Sequence, residues 1–156
     1  MSASCFARYP RGKSIKQMVE TSLKSMTNVP LDDGGPCTVT VWAPARPDIV
    51  HVLRGVVASV ASVLNFDYDR INDVRLATSE VVAHLLEETP PPETLVLRAD
   101  GTGGRLDVVV ARDTPAEDWP PTGARRSLTS LMLRSLADSS QFEQTDDGHA
   151  IRFVKY

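Results

Sequence analysis

Apolar residues recur every three or four positions in three separate stretches of the chain, which is the spacing of amphipathic helices. The stretches cover about residues 48–64, 69–88 and 127–138. The first is rich in valine, whose branched side chain favours strands, but small residues occupy its other side and the overall spacing predicts a helix. The second ends at Pro90-Pro91-Pro92, because proline cannot continue a helix.

Alternation of apolar and polar residues predicts strands in the segments between these helices. The predicted strands are 37–42, 94–99, 105–112 and a final hairpin that turns at 146–148 and ends with 150–155. The element order is strand, two helices, two strands, loop, helix, two strands. Because strands and helices are grouped, this order predicts an α+β fold: a two-layer sandwich of a mixed or antiparallel sheet with about three helices on one face.

The helix predicted over 48–64 is so apolar that other elements are expected to cover nearly all of it. Arg54 is the one charge that interrupts its valines. A guanidinium without a partner is costly to bury, and no acidic residue lies within one helical turn of Arg54, so its side chain is expected to reach solvent. The sheet is expected to cover one side of this helix, and a partner or second subunit another.

Gly34, Gly35 and Pro36 interrupt any helix and divide the chain. Residues 1–36 are predicted to be an N-terminal extension, partly helical or disordered, and residues 37–156 to be a single domain. The first 30 residues hold five basic residues against one acidic residue; since the whole chain carries −3, the remaining 126 residues carry −7. An acidic domain argues against direct nucleic-acid binding, which needs clustered basic residues, and it suits a basic protein partner.

Composition also bears on the cell compartment and on metal binding. No apolar run approaches the roughly 20 residues of a membrane helix, and the N-terminal residues lack the apolar stretch of a signal peptide. Cys5 and Cys37 stand outside any metal-binding motif and are predicted to be free thiols in a reducing compartment. The sequence therefore predicts a cytoplasmic protein with no membrane contact and no dedicated metal site.

Several segments resemble one known family. Residues 65–80, which read Asn-Phe-Asp-Tyr-Asp-Arg-Ile-Asn-Asp-Val-Arg-Leu-Ala-Thr-Ser-Glu, are similar to the second helix of RsbW/SpoIIAB-type anti-sigma factors, members of the histidine-kinase-like ATPases. Ala43-Pro-Ala-Arg-Pro47, the helix of 133–138 and Ile151-Arg-Phe-Val154 also match, in the same order. The resemblance covers about residues 37–155, and it implies the histidine-kinase-like ATPase fold, an ATP and Mg²⁺ site and protein partners.

The resemblance implies three nucleotide-binding boxes, each of which is altered in this chain. The first is a helical Glu-x-x-x-Asn, in which the carboxylate acts as general base and the amide holds Mg²⁺. It reads here Glu80-Val-Val-Ala-His84. Glu80 is the candidate catalytic base, whereas His84 supplies an imidazole where Mg²⁺ prefers oxygen.

The second box, Asp-x-Gly-x-Gly, directs its aspartate at the adenine amino group. It reads here Asp113-Thr-Pro-Ala-Glu117, and Pro115 cannot adopt the positive φ open to glycine. In the third box, Gly-x-Gly-Leu, backbone amides cradle phosphate at a helix start; Ser127 and Thr129 replace its glycines. Ser127 also has the chemistry of a plain helix N-cap. ATP and Mg²⁺ are thus expected from the resemblance, with binding weak or lost.

The same resemblance implies a function and its partners. In the family, an arginine of the first helix lies on the surface used by the sigma factor and by its antagonist, and Arg54 occupies the matching position. The leading hypothesis is a homodimeric anti-sigma factor that sequesters a bacterial sigma factor and is released by a STAS-type anti-anti-sigma factor. The alternatives are an active ATP-dependent serine/threonine kinase of that antagonist, and a kinase-fold adaptor for another regulator.

Overall fold

A computed structural model describes residues 36–114, 116–117, 119–120, 123–145 and 148–156, with the backbone alone at 123–127 and 145. The predicted N-terminal extension, including Cys5, lies outside the described residues. The domain boundary at residue 37 therefore stays a prediction. Cys37 is a free thiol, as predicted, and lies half-buried in the first strand.

Five strands form one fully antiparallel sheet. They are β1 (Cys37–Pro44), β2 (Thr94–Thr102), β3 (Arg105–Arg112), β4 (Ser139–Thr145) and β5 (Gly148–Lys155), in the spatial order β1-β2-β3-β5-β4. The β2–β3 turn is shorter than predicted, because β2 continues to Thr102. Gly103 and Gly104 make this turn with positive φ angles of 55° and 76°, a conformation that glycine adopts without strain.

Three helices accompany the sheet: α1 (Ile49–Val63), α2 (Tyr68–Glu87) and α3 (Gly123–Leu136). Asp67 begins α2 as an N-cap, since its carboxylate accepts a hydrogen bond of 2.9 Å from the backbone N–H of Arg70. Helix α3 starts four residues earlier than predicted. Ser127 therefore lies inside the helix, and its predicted role as the N-cap is wrong. None of the helices in the described part of the chain is long and apolar enough to cross a membrane.

The core lies between the three helices and one face of the sheet. Alternate residues of β2, namely Leu95, Leu97 and Ala99, are fully buried, whereas Arg98 between them is exposed. The other core residues include Leu53 and Val57 of α1, Val74 and Val81 of α2, Leu133 of α3, and Val108, Val110, Ile151 and Phe153 of the sheet. This arrangement confirms the predicted α+β sandwich with three helices on one face.

Helix α1 is less covered than its apolar composition predicted. Leu53, Val57 and Val60 are buried, but Val52 is 54% exposed and Val63 is 57% exposed. Gly55 and Ser59 are also exposed. Their spacing from Val52 and Val63 follows the helical period, so all four residues lie on the side of α1 that faces away from the sheet. The expectation that other elements of the chain cover nearly all of α1 is wrong, whereas burial of one side of the helix against the domain core agrees with the expectation. Coverage of the other side by a partner or second subunit stays a prediction. Val52, Gly55, Ser59 and Val63 share this exposed side, whereas the half-buried Arg54 lies about 200° around the helix axis from Val52. These five residues together are called the α1 surface below.

Candidate functional site

The last turns of α2 place three polar side chains along one face of the helix. Glu80, His84 and Glu88 follow one another at intervals of four residues, so each lies about one turn from the next. Glu80 is half-buried, while His84 and Glu88 are almost completely buried. The candidate base and the histidine beside it are therefore adjacent, but only Glu80 keeps substantial access to solvent.

Both ring nitrogens of His84 lie close to polar side chains. Its Nδ1 atom is 3.3 Å from the hydroxyl oxygen of Thr129 on α3, and its Nε2 atom is 3.5 Å from Oε1 of Glu88. The His84 and Glu88 side chains are 5% and 6% exposed. The imidazole therefore joins the end of α2 to α3, and neither nitrogen faces open solvent.

Aromatic rings fill the remaining space around His84. The Phe142 ring of β4 meets the imidazole edge to face at a centroid distance of 5.9 Å, and the Trp119 ring lies 6.5 Å away. Trp119 stacks on the His149 ring of β5, with centroids 4.7 Å apart and the planes within 5° of parallel. The five side chains of His84, Trp119, Thr129, Phe142 and His149 are called the Trp119 cluster below.

The segment that carries Trp119 is tied to three other parts of the chain. The indole Nε1–H of Trp119 donates a 3.0 Å hydrogen bond to the carbonyl oxygen of Glu143. The backbone N–H of Ala116 donates to Nδ1 of His149 at 2.8 Å, and that of Glu117 donates to the carbonyl oxygen of Thr89, also at 2.8 Å. These bonds fix the tryptophan against the end of α2 and the β4–β5 hairpin.

A buried cation lies beside the cluster. Arg112 at the end of β3 is 2% exposed, and its guanidinium donates to the carbonyl oxygens of Leu85, at 3.3 Å, and of Pro90. Burial lowers the pKa of Arg112, and the nearby charges of Glu88 and Asp113 oppose this shift. The acidic neighbours therefore help to keep a positive charge inside the domain.

His149 is held as a neutral imidazole. Burial lowers its pKa, and the positive charge of Arg112, its cross-strand neighbour on the same face of the sheet, lowers it further. The hydrogen bond from Ala116 assigns Nδ1 as the acceptor, so the proton of the neutral ring resides on Nε2. Protonation at Nδ1 would remove the acceptor that anchors the Trp119 segment.

The predicted nucleotide-binding residues have different surroundings. His84 and Thr129 are brought into contact, and Glu80 is one turn from His84. Asp113 is exposed, and its Oδ1 atom accepts hydrogen bonds of 3.1 Å from the backbone N–H of Glu93 and from the Thr114 hydroxyl. The Asp113 carboxylate thus joins the loop after β3 to the residue that precedes β2. Pro115 and the side chain of Ser127 lie outside the described residues.

The remaining members of the cluster were missed by sequence reasoning. Trp119 stands in a proline-rich loop between Asp118 and Pro120, and a lone aromatic residue in such a loop is a weak signal. Phe142 and His149 belong to a hairpin whose register is needed to bring them together. In the part of the chain that the structure describes, no three histidine, cysteine or acidic residues are grouped so that they could hold a metal ion.

Arg54 has a different environment on the α1 surface. Its side chain is half-buried, so the predicted solvent access is only partial. Its Nε atom is buried and has no hydrogen-bond partner. One donor of the half-buried guanidinium is therefore unused, which costs free energy in the isolated chain.

Comparison with known proteins finds curated relatives that share part of this sequence. No family model matches the chain. The chain is 33% identical over 107 residues to the anti-sigma-F factor RsbW of Mycobacterium tuberculosis, an alignment that covers 69% of this chain and 62% of the relative. It is 32% identical over 85 residues to the serine-protein kinase RsbW of Bacillus subtilis, which covers 52% of each chain. A serine-protein kinase RsbW from Bacillus licheniformis is 26% identical over 83 residues.

These findings define the chain first as an α+β sandwich whose second helix carries the altered Glu80–His84 box. More particularly, the chain is similar to the RsbW proteins, and the resemblance to RsbW/SpoIIAB-type anti-sigma factors that the sequence predicted is confirmed. The chain spans less than two thirds of the length of the mycobacterial relatives and about half that of the Bacillus subtilis relative.

Proposed function

We propose that this protein is an anti-sigma factor, which binds and sequesters a bacterial sigma factor and is released by a STAS-type anti-anti-sigma factor. The observation that carries the proposal is the 33% identity over 107 residues to proteins named anti-sigma-F factor. The matched length is of the order of the whole described domain, so the similarity is not confined to one helix. The cytoplasm is the proposed compartment, since sigma factors act there.

The α1 surface is the proposed contact with the sigma factor and its antagonist. Val52 and Val63 expose apolar side chains at its two ends, and Gly55 and Ser59 keep the middle low enough for close approach. Arg54 supplies a charged, half-buried group on the same helix, about 200° around the helix axis from Val52. Arginine is enriched among the interface positions that contribute much of the binding free energy.

A homodimer is part of the same proposal. The exposed valines of α1 require a covering surface, which either a sigma factor or a second copy of the chain provides. Light scattering at high protein concentration measures the mass directly. A dimer mass supports a self-association surface, while a monomer mass at every concentration assigns the α1 surface to other proteins alone.

A serine/threonine kinase of the STAS antagonist is the second candidate function. The Bacillus relatives are named serine-protein kinases, and Glu80 keeps the position of the candidate base. A kinase needs a nucleoside triphosphate and Mg²⁺, which neutralises charge on the transferred phosphoryl group. The closed surroundings of His84 and Thr129 favour the binding function, with ATP and Mg²⁺ binding weak or lost. A kinase-fold adaptor remains the third candidate.

Calorimetric titration of purified sigma factors from the same organism tests the proposal. Wild-type protein is compared with Arg54→Ala and with Arg134→Ala, a control at an exposed arginine on α3. Binding of one sigma factor, weakened about 30-fold (about 2 kcal/mol) by Arg54→Ala and unchanged by Arg134→Ala, is the expected result. Absence of binding to every sigma factor, with phosphorylation of a STAS protein instead, makes the kinase function correct.

A further inference from the structure

We propose that Trp119 blocks the nucleotide site: its indole ring occupies the place of a nucleotide and makes the protein insensitive to ATP. The inference concerns the same site as the proposed function and rests on that function only for the identity of the protein partner. It goes beyond altered motif residues, because it assigns the loss of nucleotide binding to a residue outside all three boxes.

The first step is the contact between two of the boxes. His84 takes the place of the first-box amide, and Thr129 takes the place of a third-box glycine. Their side chains lie 3.3 Å apart and are almost completely buried. A nucleotide phosphate and its Mg²⁺ would have to lie between these two positions, so the contact leaves them no room.

The second step is the space taken by the indole ring. Trp119 packs against His84, Phe142 and His149 at centroid distances of 6.5, 5.6 and 4.7 Å. An indole is a flat bicyclic aromatic group of nearly the size of adenine, so the space that it occupies beside His84 is not open to a bound nucleotide. The parallel stack on His149 is also the contact that a bound base makes with an aromatic side chain.

The third step is the cost of moving the indole. Opening this space would break the bond from Trp119 Nε1 to the Glu143 carbonyl, and displacing the segment would break the bond from Ala116 to His149. It would also expose the buried His84–Glu88 pair. Each of these losses opposes nucleotide entry. Binding of Mg²⁺ would not compensate for them, because His84 offers an imidazole and not an oxygen ligand. The residues present therefore do not fit a Mg-nucleotide.

The consequence is a regulatory one. A partner that binds this protein would meet the same closed site whether ATP, ADP or no nucleotide is present. Release of the sigma factor would then depend on competition by the antagonist for the α1 surface, and not on the nucleotide state of this chain.

The first experiment follows Trp119 by fluorescence. The chain has two tryptophans, so the variant Trp42→Phe leaves Trp119 as the single emitter. Titration with Mg-ATP and with Mg-ADP up to millimolar concentration is expected to change neither the Trp119 emission nor the melting temperature of the wild-type chain. A low-micromolar dissociation constant, or a Trp119 emission shift that saturates with nucleotide, overturns the proposal.

The second experiment makes a cavity and refills it. Trp119→Gly is expected to lower the melting temperature by at least about 5 °C, and millimolar indole is expected to restore much of the loss, because a ligand that fills a cavity stabilises the folded state. Trp42→Gly is the matched control, since Trp42 is 45% exposed and its removal leaves no enclosed space. If indole raises the melting temperature of Trp119→Gly no more than that of the control, the proposal that Trp119 fills an enclosed space is overturned.

Where Trp119→Gly does not fold, the nucleotide titration of the wild-type chain alone tests the proposal.

A third measurement separates this inference from the proposed function. Affinity for the sigma factor identified above is expected to differ less than twofold with and without Mg-ATP. A tenfold change in that affinity contradicts the proposal that Trp119 blocks the nucleotide site. Absence of sigma binding, together with a nucleotide titration that changes neither Trp119 emission nor melting temperature, rejects the proposed function. The proposal that Trp119 blocks the nucleotide site is then still supported.

Discussion

The Trp119 cluster and helix α1 differ in how far their polar residues are buried and partnered. In and beside the cluster, His84, Arg112 and His149 are buried, and each has at least one polar partner, although Nε of Arg112 has none. On helix α1, Arg54 is half-buried with an unpartnered Nε, and Val52 and Val63 are more than half exposed. Buried and partnered polar groups stabilise a single closed arrangement, whereas exposed apolar residues and a partly exposed arginine are available to another molecule.

The comparison assigns a structural role to the region that the motifs marked as catalytic. We propose that partner binding is concentrated instead on helix α1, whose sequence showed one irregular charge. Substitutions in the cluster should therefore change stability, and substitutions on the α1 surface should change affinity. The predictions below test this division, beginning with the largest expected effect.

Replacement of Arg112 should give the largest loss of stability. Arg112→Met keeps much of the apolar volume but removes the bonds to the Leu85 and Pro90 carbonyls and takes the cationic neighbour away from Glu88. The expected loss is about 3–5 kcal/mol in the free energy of unfolding, measured by urea denaturation. Arg98→Met is the control, because Arg98 is exposed and pairs with Asp100 at 2.7 Å, and it should cost less than about 1 kcal/mol. Equal effects of the two substitutions would contradict the role of the buried cation.

Restoration of the first box should be unable to restore nucleotide binding. His84→Asn supplies the amide oxygen that Mg²⁺ prefers, but Trp119 still fills the site. The variant should lose about 1–3 kcal/mol of stability, because its contacts with Thr129, Phe142 and Trp119 are reduced. Calorimetry should detect no Mg-ATP binding. Tight binding by His84→Asn alone would show that the histidine, and not the tryptophan, closes the site.

Acid should destabilise the protein through His149. Its pKa is lowered in the folded protein, so below the ordinary histidine value of about 6.5 the unfolded chain binds a proton that the folded chain does not. The stability contributed by the neutral imidazole is complete above that pH and is lost as the pH falls below it. The charged neighbour that contributes to the lowered pKa of His149 is Arg112.

The check is the melting temperature from pH 7.5 to 5. His149→Asn keeps an acceptor near the position of Nδ1 but does not titrate, so its melting temperature should fall less steeply over this range than that of the wild-type chain. His51→Asn, at an exposed position on α1, is the control and should leave the slope unchanged. Parallel slopes for all three proteins would remove His149 as the cause.

Periodicity was sufficient to predict most of the fold, and the reasons are visible in particular elements. Helix α2 was predicted within one residue at each end, because Asp67 caps it and the proline run stops it. The start of α3 was predicted four residues late, because Ser127 resembles a cap and the apolar pattern begins only at Leu128. The exposed side of α1 was misjudged because an apolar residue contributes to the same pattern whether or not anything covers it.

The candidate site was less predictable than the fold. Glu80, His84 and Thr129 were found because a family motif marked their positions. Trp119 and His149 are thirty residues apart and meet only through the hairpin register and the path of a loop, neither of which leaves a periodic signal. A motif predicts which positions correspond to a nucleotide site, whereas the packing of the side chains around them determines whether a nucleotide fits.

The division between the two regions is tested most directly at Arg54, where the expected effect on stability is the smallest. Arg54→Ala should change the melting temperature by less than about 2 °C, because its Nε donor has no partner to lose. In nucleotide-free buffer, the same variant should bind the cognate sigma factor about 30-fold more weakly than the wild-type chain (about 2 kcal/mol). Unchanged affinity, or unfolding of the variant, would contradict the account.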